Sequence, residues 1–152
     1  MTALEKIQEW IKTFPQCDAL TTFSVDYTSA EPANGGLMPA GLIEVSRNTD
    51  IFGNVTVTNQ YNFTLYFVFL KSPGDETTAE ENAQWLMDFQ DWVQQQSASG
   101  AAPVFGDSAR QETIKAQNGM LLEADNEGTA VYTVNLSANF IKYYEEKNEW
   151  LT

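Results

Sequence analysis

Residues 55–70, VTVTNQYNFTLYFVFL, constrain the fold more than any other stretch of the chain. Val55, Val57, Tyr61, Phe63, Leu65, Phe67 and Phe69 all sit at odd positions, so an extended backbone presents them on one face. From Leu65 onward the even positions Tyr66, Val68 and Leu70 are apolar as well. Kept extended throughout, the segment spans roughly 50 Å at about 3.3 Å per residue. Ordinary strands run to only about five or six residues. A bulge at Asn59-Gln60 would divide it, yet the odd-position pattern continues through that point. The segment therefore reads as one long, twisted strand at the centre of a sheet.

The flanking sequence supplies helices and further strands. Residues 2–14 show a helical stripe, with Leu4, Ile7, Ile11 and Phe14 on one face and Thr2 with Glu5 at capping-box spacing. Pro15 ends that helix, because it cannot continue the hydrogen-bond ladder without cost. LTTFSVDYT (20–28) alternates Phe23, Val25 and Tyr27 as a strand does, and GLIEVSR (41–47) is a second short strand. The stretch 29–41 between them, with two prolines and three glycines, is expected to be a loop. A second helix starts near Thr77 or Thr78, each three residues before a glutamate. It carries Trp85, Leu86, Phe89, Trp92 and Val93 as one stripe to about Gln96. Residues 97–109 are small and are expected to form a flexible loop. Strands at 113–124 and 129–144 follow, joined by DNEG, a short-turn sequence. Asn34-Gly35 and Asn118-Gly119 are read as turns.

Helix, strands, helix, strands in one chain of 152 residues imply a single α+β domain. The expected form has two layers: a mostly antiparallel twisted sheet of four or five strands, with both helices on one face. Residues 145–152 form a C-terminal tail.

A two-layer arrangement leaves the second face of the sheet to be covered by something else. Tyr66, Val68 and Leu70 point to that side, either beneath a loop such as 29–41 or against a neighbouring subunit. The second reading makes these three residues a subunit interface.

The chemistry available is narrow. The chain has no histidine, which excludes Ser-His-Asp and Cys-His nucleophiles and histidine-liganded metals. Cys17, the only cysteine, follows a helix end without a histidine or basic cluster to activate it, so it reads as a structural or incidental thiol. Of the acidic clusters Asp75-Glu76, Glu80-Glu81, Asp88-Asp91, Asp125-Asn126-Glu127 and Glu145-Glu146, the first three fall at a helix start or on a helix's wet face, where solvated carboxylates are ordinary, and Asp125-Asn126-Glu127 lacks the calcium loop with its closing glutamate. No phosphate-binding glycine motif is present. These features predict a protein that is not an enzyme and takes no cofactor or metal. The less favoured alternative is a small-molecule binding protein or enzyme using a groove between the second helix and the sheet. A net charge of −13, from 8 basic and 21 acidic residues, argues against direct DNA binding. No apolar run approaches membrane-spanning length, and no opening segment looks like a secretion signal, so cytoplasmic synthesis is expected. On that basis the triplets at Asn54, Asn62 and Asn135 are chance matches to a glycosylation signal.

The stretch NGMLLEADNEGTAVYTVNLSANF (118–140) carries a family resemblance. Together with the amphipathic first helix and a mid-chain helix after a long strand, it resembles small phage and prophage neck proteins. These are the minor capsid or tail-terminator (tail-completion) proteins of phages of Gram-positive bacteria. The loop at 29–41 and the tail EEKNEWLT fall outside the resemblance. It implies an α+β subunit that assembles into a homo-oligomeric ring, commonly a hexamer, at the head–tail junction. It also implies other neck and tail proteins as partners, no catalytic residues, and passage from the host cytoplasm into the virion. A tail-tube or head-joining subunit is the related alternative. A ring that lets DNA slide through should repel it, and the acidity of the chain suits that role.

Overall fold

The computed structural model describes residues 2–16, 22–25, 34–70, 76–107, 112–124 and 129–146. Helix α1 (Ala3–Ile11) is followed by strands β1 (Thr22–Val25), β2 (Asn34–Thr49) and β3 (Val55–Leu70). Helix α2 (Glu76–Ser99) then precedes β4 (Thr113–Ala124) and β5 (Thr129–Tyr144). The five strands form one sheet in the order β1-β2-β3-β5-β4. All neighbours are antiparallel except the short parallel pair of β1 with β2. The architecture is α+β, with the helices packed against one face of the sheet.

The long opening segment is one strand at the sheet's centre. β3 pairs with β5 without interruption from Val55↔Tyr144 to Leu70↔Thr129, so Asn59-Gln60 carries no bulge. Its odd residues Phe63, Leu65, Phe67 and Phe69 are buried with Tyr132, Val134, Leu136 and Ala138 of β5. Onto them α2 lays Trp85, Leu86, Phe89 and Val93, and α1 lays Ile7, Trp10 and Ile11. Phe89 is fully buried and meets the rings of Phe14, Phe67, Trp85 and Trp92. Burying a side chain of this size is worth about 1.5–3 kcal/mol, so this aromatic junction anchors α2 to the sheet. Trp10 lay off the four-residue stripe read from the sequence. It nevertheless stacks on Trp92 at 4.9 Å and donates its indole N–H to Gln96 Oε1 at 3.1 Å.

Helix ends follow local chemistry. Thr2 caps α1 by accepting from the Glu5 N–H at 3.2 Å. The helix stops at Ile11, earlier than expected, and the turn beyond it still buries Phe14. α2 continues three residues past Gln96, because QQQSAS holds no breaker before Gly100. There a positive φ of 77° lets Ala101 N–H reach Gln96 C=O at 3.0 Å and Gly100 N–H reach Ser97 C=O at 3.4 Å, a Schellman-type stop.

Three expectations are corrected. Residues 34–41 are not loop but the first half of β2. Pro39 is tolerated because it lies beyond the end of β1, where β2 is an edge strand and a missing N–H breaks no ladder bond. Gly41, at φ 105°, absorbs a bulge that leaves Ala40 unpaired. Asn34-Gly35 and Asn118-Gly119 lie inside strands rather than at turns, the latter as a bulge in which Asn118 takes φ 58°.

The segment expected as a flexible loop at 97–109 is helix to Ser99, and its described remainder is pinned. Lys6 Nζ donates to Val104 C=O, and the Glu112 carboxylate accepts from the Phe105 and Gly106 N–H groups. Asp107 bonds the β5 backbone at Ile141 and Tyr143. Residues 29–33 and 108–109, the DNEG turn, Cys17, Asp75 and residues 147–152 lie outside the described residues.

Candidate interaction surface

The outer face of the sheet does not present the three residues expected there as an open apolar surface. Val68 is fully buried within the chain itself, at 0% exposure, and so offers nothing to a neighbour. Tyr66 is half-buried, and the side chain of Leu70 lies outside the described residues. The middle of this face is uncharged and polar, with Gln60, Asn62 and Thr64 on β3 beside Asn135, Ser137 and Asn139 on β5. Gln60 Nε2 donates to Asn139 Oδ1 at 2.9 Å, a cross-strand pair.

Apolar surface is instead concentrated on the hairpin of β2 and β3. Every residue from Pro39 to Phe52 is exposed. Leu42, Ile43 and Val45 are 56%, 53% and 55% exposed, and Ile51 and Phe52 at the hairpin tip reach 94% and 75%. Two causes combine. β1 pairs only with Asn34–Leu37, so from Met38 onward β2 is an edge strand. Adjacent Leu42 and Ile43, opposite Tyr61 and Gln60, fall on the two faces of that edge, and a second bulge, at Val45, adds a further exposed apolar residue.

The tip is rigidly built. Asp50 Oδ1 accepts from the Phe52 N–H at 2.8 Å and the Asn54 N–H at 3.0 Å, while Oδ2 accepts from Asn54 Nδ2 at 3.2 Å. Gly53 takes φ 87° in the turn, and Asn54 Oδ1 accepts from the Glu146 N–H at the end of β5. Loss of hydrating water pushes the Asp50 pKa up, but the hydrogen bonds from Asn54, Phe52 and Gly53 outweigh it and hold the carboxyl below its ordinary 3.8. Ile51 and Phe52 are thus fixed outward rather than folded back. Between the arm and α1 lies an apolar groove of about 320 Å³, walled by Leu4, Pro39, Leu42, Tyr61 and Phe63.

The opposite edge of the sheet is treated differently. α2 lies along β4, and Ser97 Oγ accepts the Ile114 N–H at 3.1 Å while Gln90 Nε2 donates to Ala116 C=O at 3.3 Å. A backbone N–H and a C=O on the outer side of β4 are therefore already satisfied by side chains. The open groove beside them, about 610 Å³, includes Asp91, Gln94, Thr113, Lys115 and Gln117, all of them exposed. A deep enclosed pocket with converging polar groups, which small-molecule chemistry needs, is not what this groove offers.

The acidic clusters that fall within the described residues are occupied by local structure or face water. Asp88 accepts from Gln16 Nε2 at 3.0 Å and Gln84 Nε2 at 2.8 Å, which hold its carboxyl below the ordinary range against some loss of hydration. Asp91 accepts from Gln95 one turn on. Glu80, Glu81, Glu145 and Glu146 are exposed. Among the described residues, no group of three acidic, cysteine or histidine side chains could hold a metal ion. No described helix is long and apolar enough to cross a membrane.

The arm was legible in one respect that sequence reading passed over: NTDIFGN places two large apolar residues in a turn, where polar residues are the rule. No protein-family model matches the sequence, and no curated protein is detectably similar to it.

Proposed function

We propose that this chain is a structural subunit that works by assembling with copies of itself, through the exposed β2–β3 arm rather than the outer face of the sheet. The observation that carries the reading is the rigid tip holding Ile51 and Phe52 in water beside an edge strand exposed from Pro39 onward. Contiguous exposed apolar surface on an unpaired edge is an association site on a chain that must stay soluble. The specific role favoured is that of a ring-forming tail terminator or minor capsid subunit at the head–tail junction of a phage or prophage. The sequence resemblance at 118–140, the α+β layout and the net charge of −13 support that role. Neck and tail proteins would then be its partners, and the virion its destination.

Light scattering of the purified protein across a range of concentrations, with a binding assay on isolated tail tubes, tests the proposal. An oligomer, or a monomer that closes into rings on the tube, is the expected result. A protein that stays monomeric at high concentration and ignores tail tubes would defeat it.

A further inference from the structure

The two edges of the sheet decide what kind of self-contact the arm can make. A head-to-tail sheet would join the β2 edge of one copy to the β4 edge of the next. That route is obstructed, because Ser97 and Gln90 already occupy backbone groups of β4. What remains is β2 against β2 of a second copy, which two-fold symmetry makes antiparallel.

Charge selects the register. Residues 38–54 hold Glu44, Arg47 and Asp50 and so carry a net −1, in a chain of −13. Two copies can meet here with little mutual repulsion. Glu44 and Arg47 lie on the same face of β2, opposite Asn59 and Val57 of β3, and form an exposed ion pair of 2.8 Å within the strand. Antiparallel pairing that sets Glu44 of one copy opposite Arg47 of the other keeps every residue on its proper face and forms two symmetric cross-strand pairs. The same register sets Thr49, the last residue of β2, opposite Leu42, so the tip beyond it lies beside Gly41 to Pro39 of the other copy. Each tip then reaches the groove walled by Leu4, Leu42, Tyr61 and Phe63 of the other copy. At about 320 Å³ that groove is at the lower limit of small-molecule pockets, roughly 300–1,000 Å³, and suits one or two side chains.

We infer that the first assembly unit is a two-fold dimer, in which β2 strands pair with Glu44 facing Arg47 across the axis and each Phe52 tip seats in the other copy's groove. This rests on the self-assembly reading and deepens it. The contact consumes the bare stretch of β2 in both copies and leaves outside the capped β4 edges and the short β1 edges, Thr22–Val25.

The test is a charge swap read by sedimentation equilibrium. Glu44→Arg or Arg47→Glu alone places like charges opposite each other twice per dimer and should weaken dimerisation by roughly tenfold or more. The double variant E44R/R47E should recover the wild-type constant. Phe52→Asp should weaken it at least as much. All three positions are exposed in the free chain, and circular dichroism confirms folding. Dimerisation unchanged in both single swaps and in Phe52→Asp overturns this contact and leaves the self-assembly reading standing. So does failure of the double swap to recover. A wild-type chain that neither self-associates nor binds tail tubes removes both.

Discussion

The β4 and β2 edges belong to one sheet, yet they meet water in opposite ways. β4 runs under α2, whose Ser97 and Gln90 bond its backbone at Ile114 and Ala116. β2 runs free past Leu37, and its described neighbours on the outer side are none from Met38 to Thr49. Edge strands are a liability that proteins blunt with charge, proline, bulges or a covering element. Here the cover is spent on one side only. The other side keeps Pro39, two bulges and a Glu44–Arg47 pair, which shorten the usable ladder without closing it. The difference teaches where association is prevented and where it is permitted.

The largest expected effect comes from breaking the covered edge at its anchor. Phe89→Ala removes the ring that joins α2 to Phe14 and Phe67. A fully buried Phe truncated to Ala costs about 3–5 kcal/mol, measurable as a shift of the urea midpoint. As α2 loosens, hydrogen exchange at β4 should rise toward that of the β2 edge, erasing the asymmetry. Protection at Ile114 that survives the substitution would mean that α2 is not what shields β4.

A smaller change sharpens the same contrast without touching the core. Ser97→Ala leaves the Ile114 N–H without its acceptor, at a cost of about 1–1.5 kcal/mol for a half-buried donor left unpaired. Exchange at Ile114 should quicken while amides of the β2 edge stay unchanged. An equal response at both edges would show that the substitution acted globally rather than through the cap.

How much of this was readable beforehand follows from which residues face the core. The alternation of Phe63, Leu65, Phe67 and Phe69 located β3 to the residue, because a one-residue slip would turn the whole set to water. Trp85, Phe89 and Val93 fixed α2 for the same reason, at helical spacing. β2 was misread because Pro39 and three glycines signal a loop, and only the sheet order reveals that Pro39 stands where no ladder bond is needed. The burial of Val68 escaped the sequence for a related reason. Val68 looks outward by parity, but parity gives the face of a strand and not what covers that face. Ile51 and Phe52 carried a signal, apolar residues in a turn, that periodicity does not weigh.

The smallest effect is a pH dependence that only one of the two regions should feel. The cap on β4 is built from Ser97 and Gln90, neither of which titrates. The tip of the arm is built on the Asp50 carboxylate, whose hydrogen bonds from Asn54, Phe52 and Gly53 hold its pKa below 3.8 despite the opposing loss of hydration. A carboxyl with a depressed folded pKa stabilises the fold fully above its unfolded value and loses that contribution as pH falls through the folded one. The Phe52 and Asn54 amide resonances should therefore titrate with a midpoint below pH 3.8. The Ile114 resonance should pass through the same range without a step of its own. Asp50→Asn, which keeps an acceptor oxygen but cannot ionise, should abolish the step at the tip. A carboxyl that titrates at or above 3.8, or a step that persists in Asp50→Asn, would show that the tip is held by something other than this charge. The rigid presentation of Ile51 and Phe52 would then need another cause.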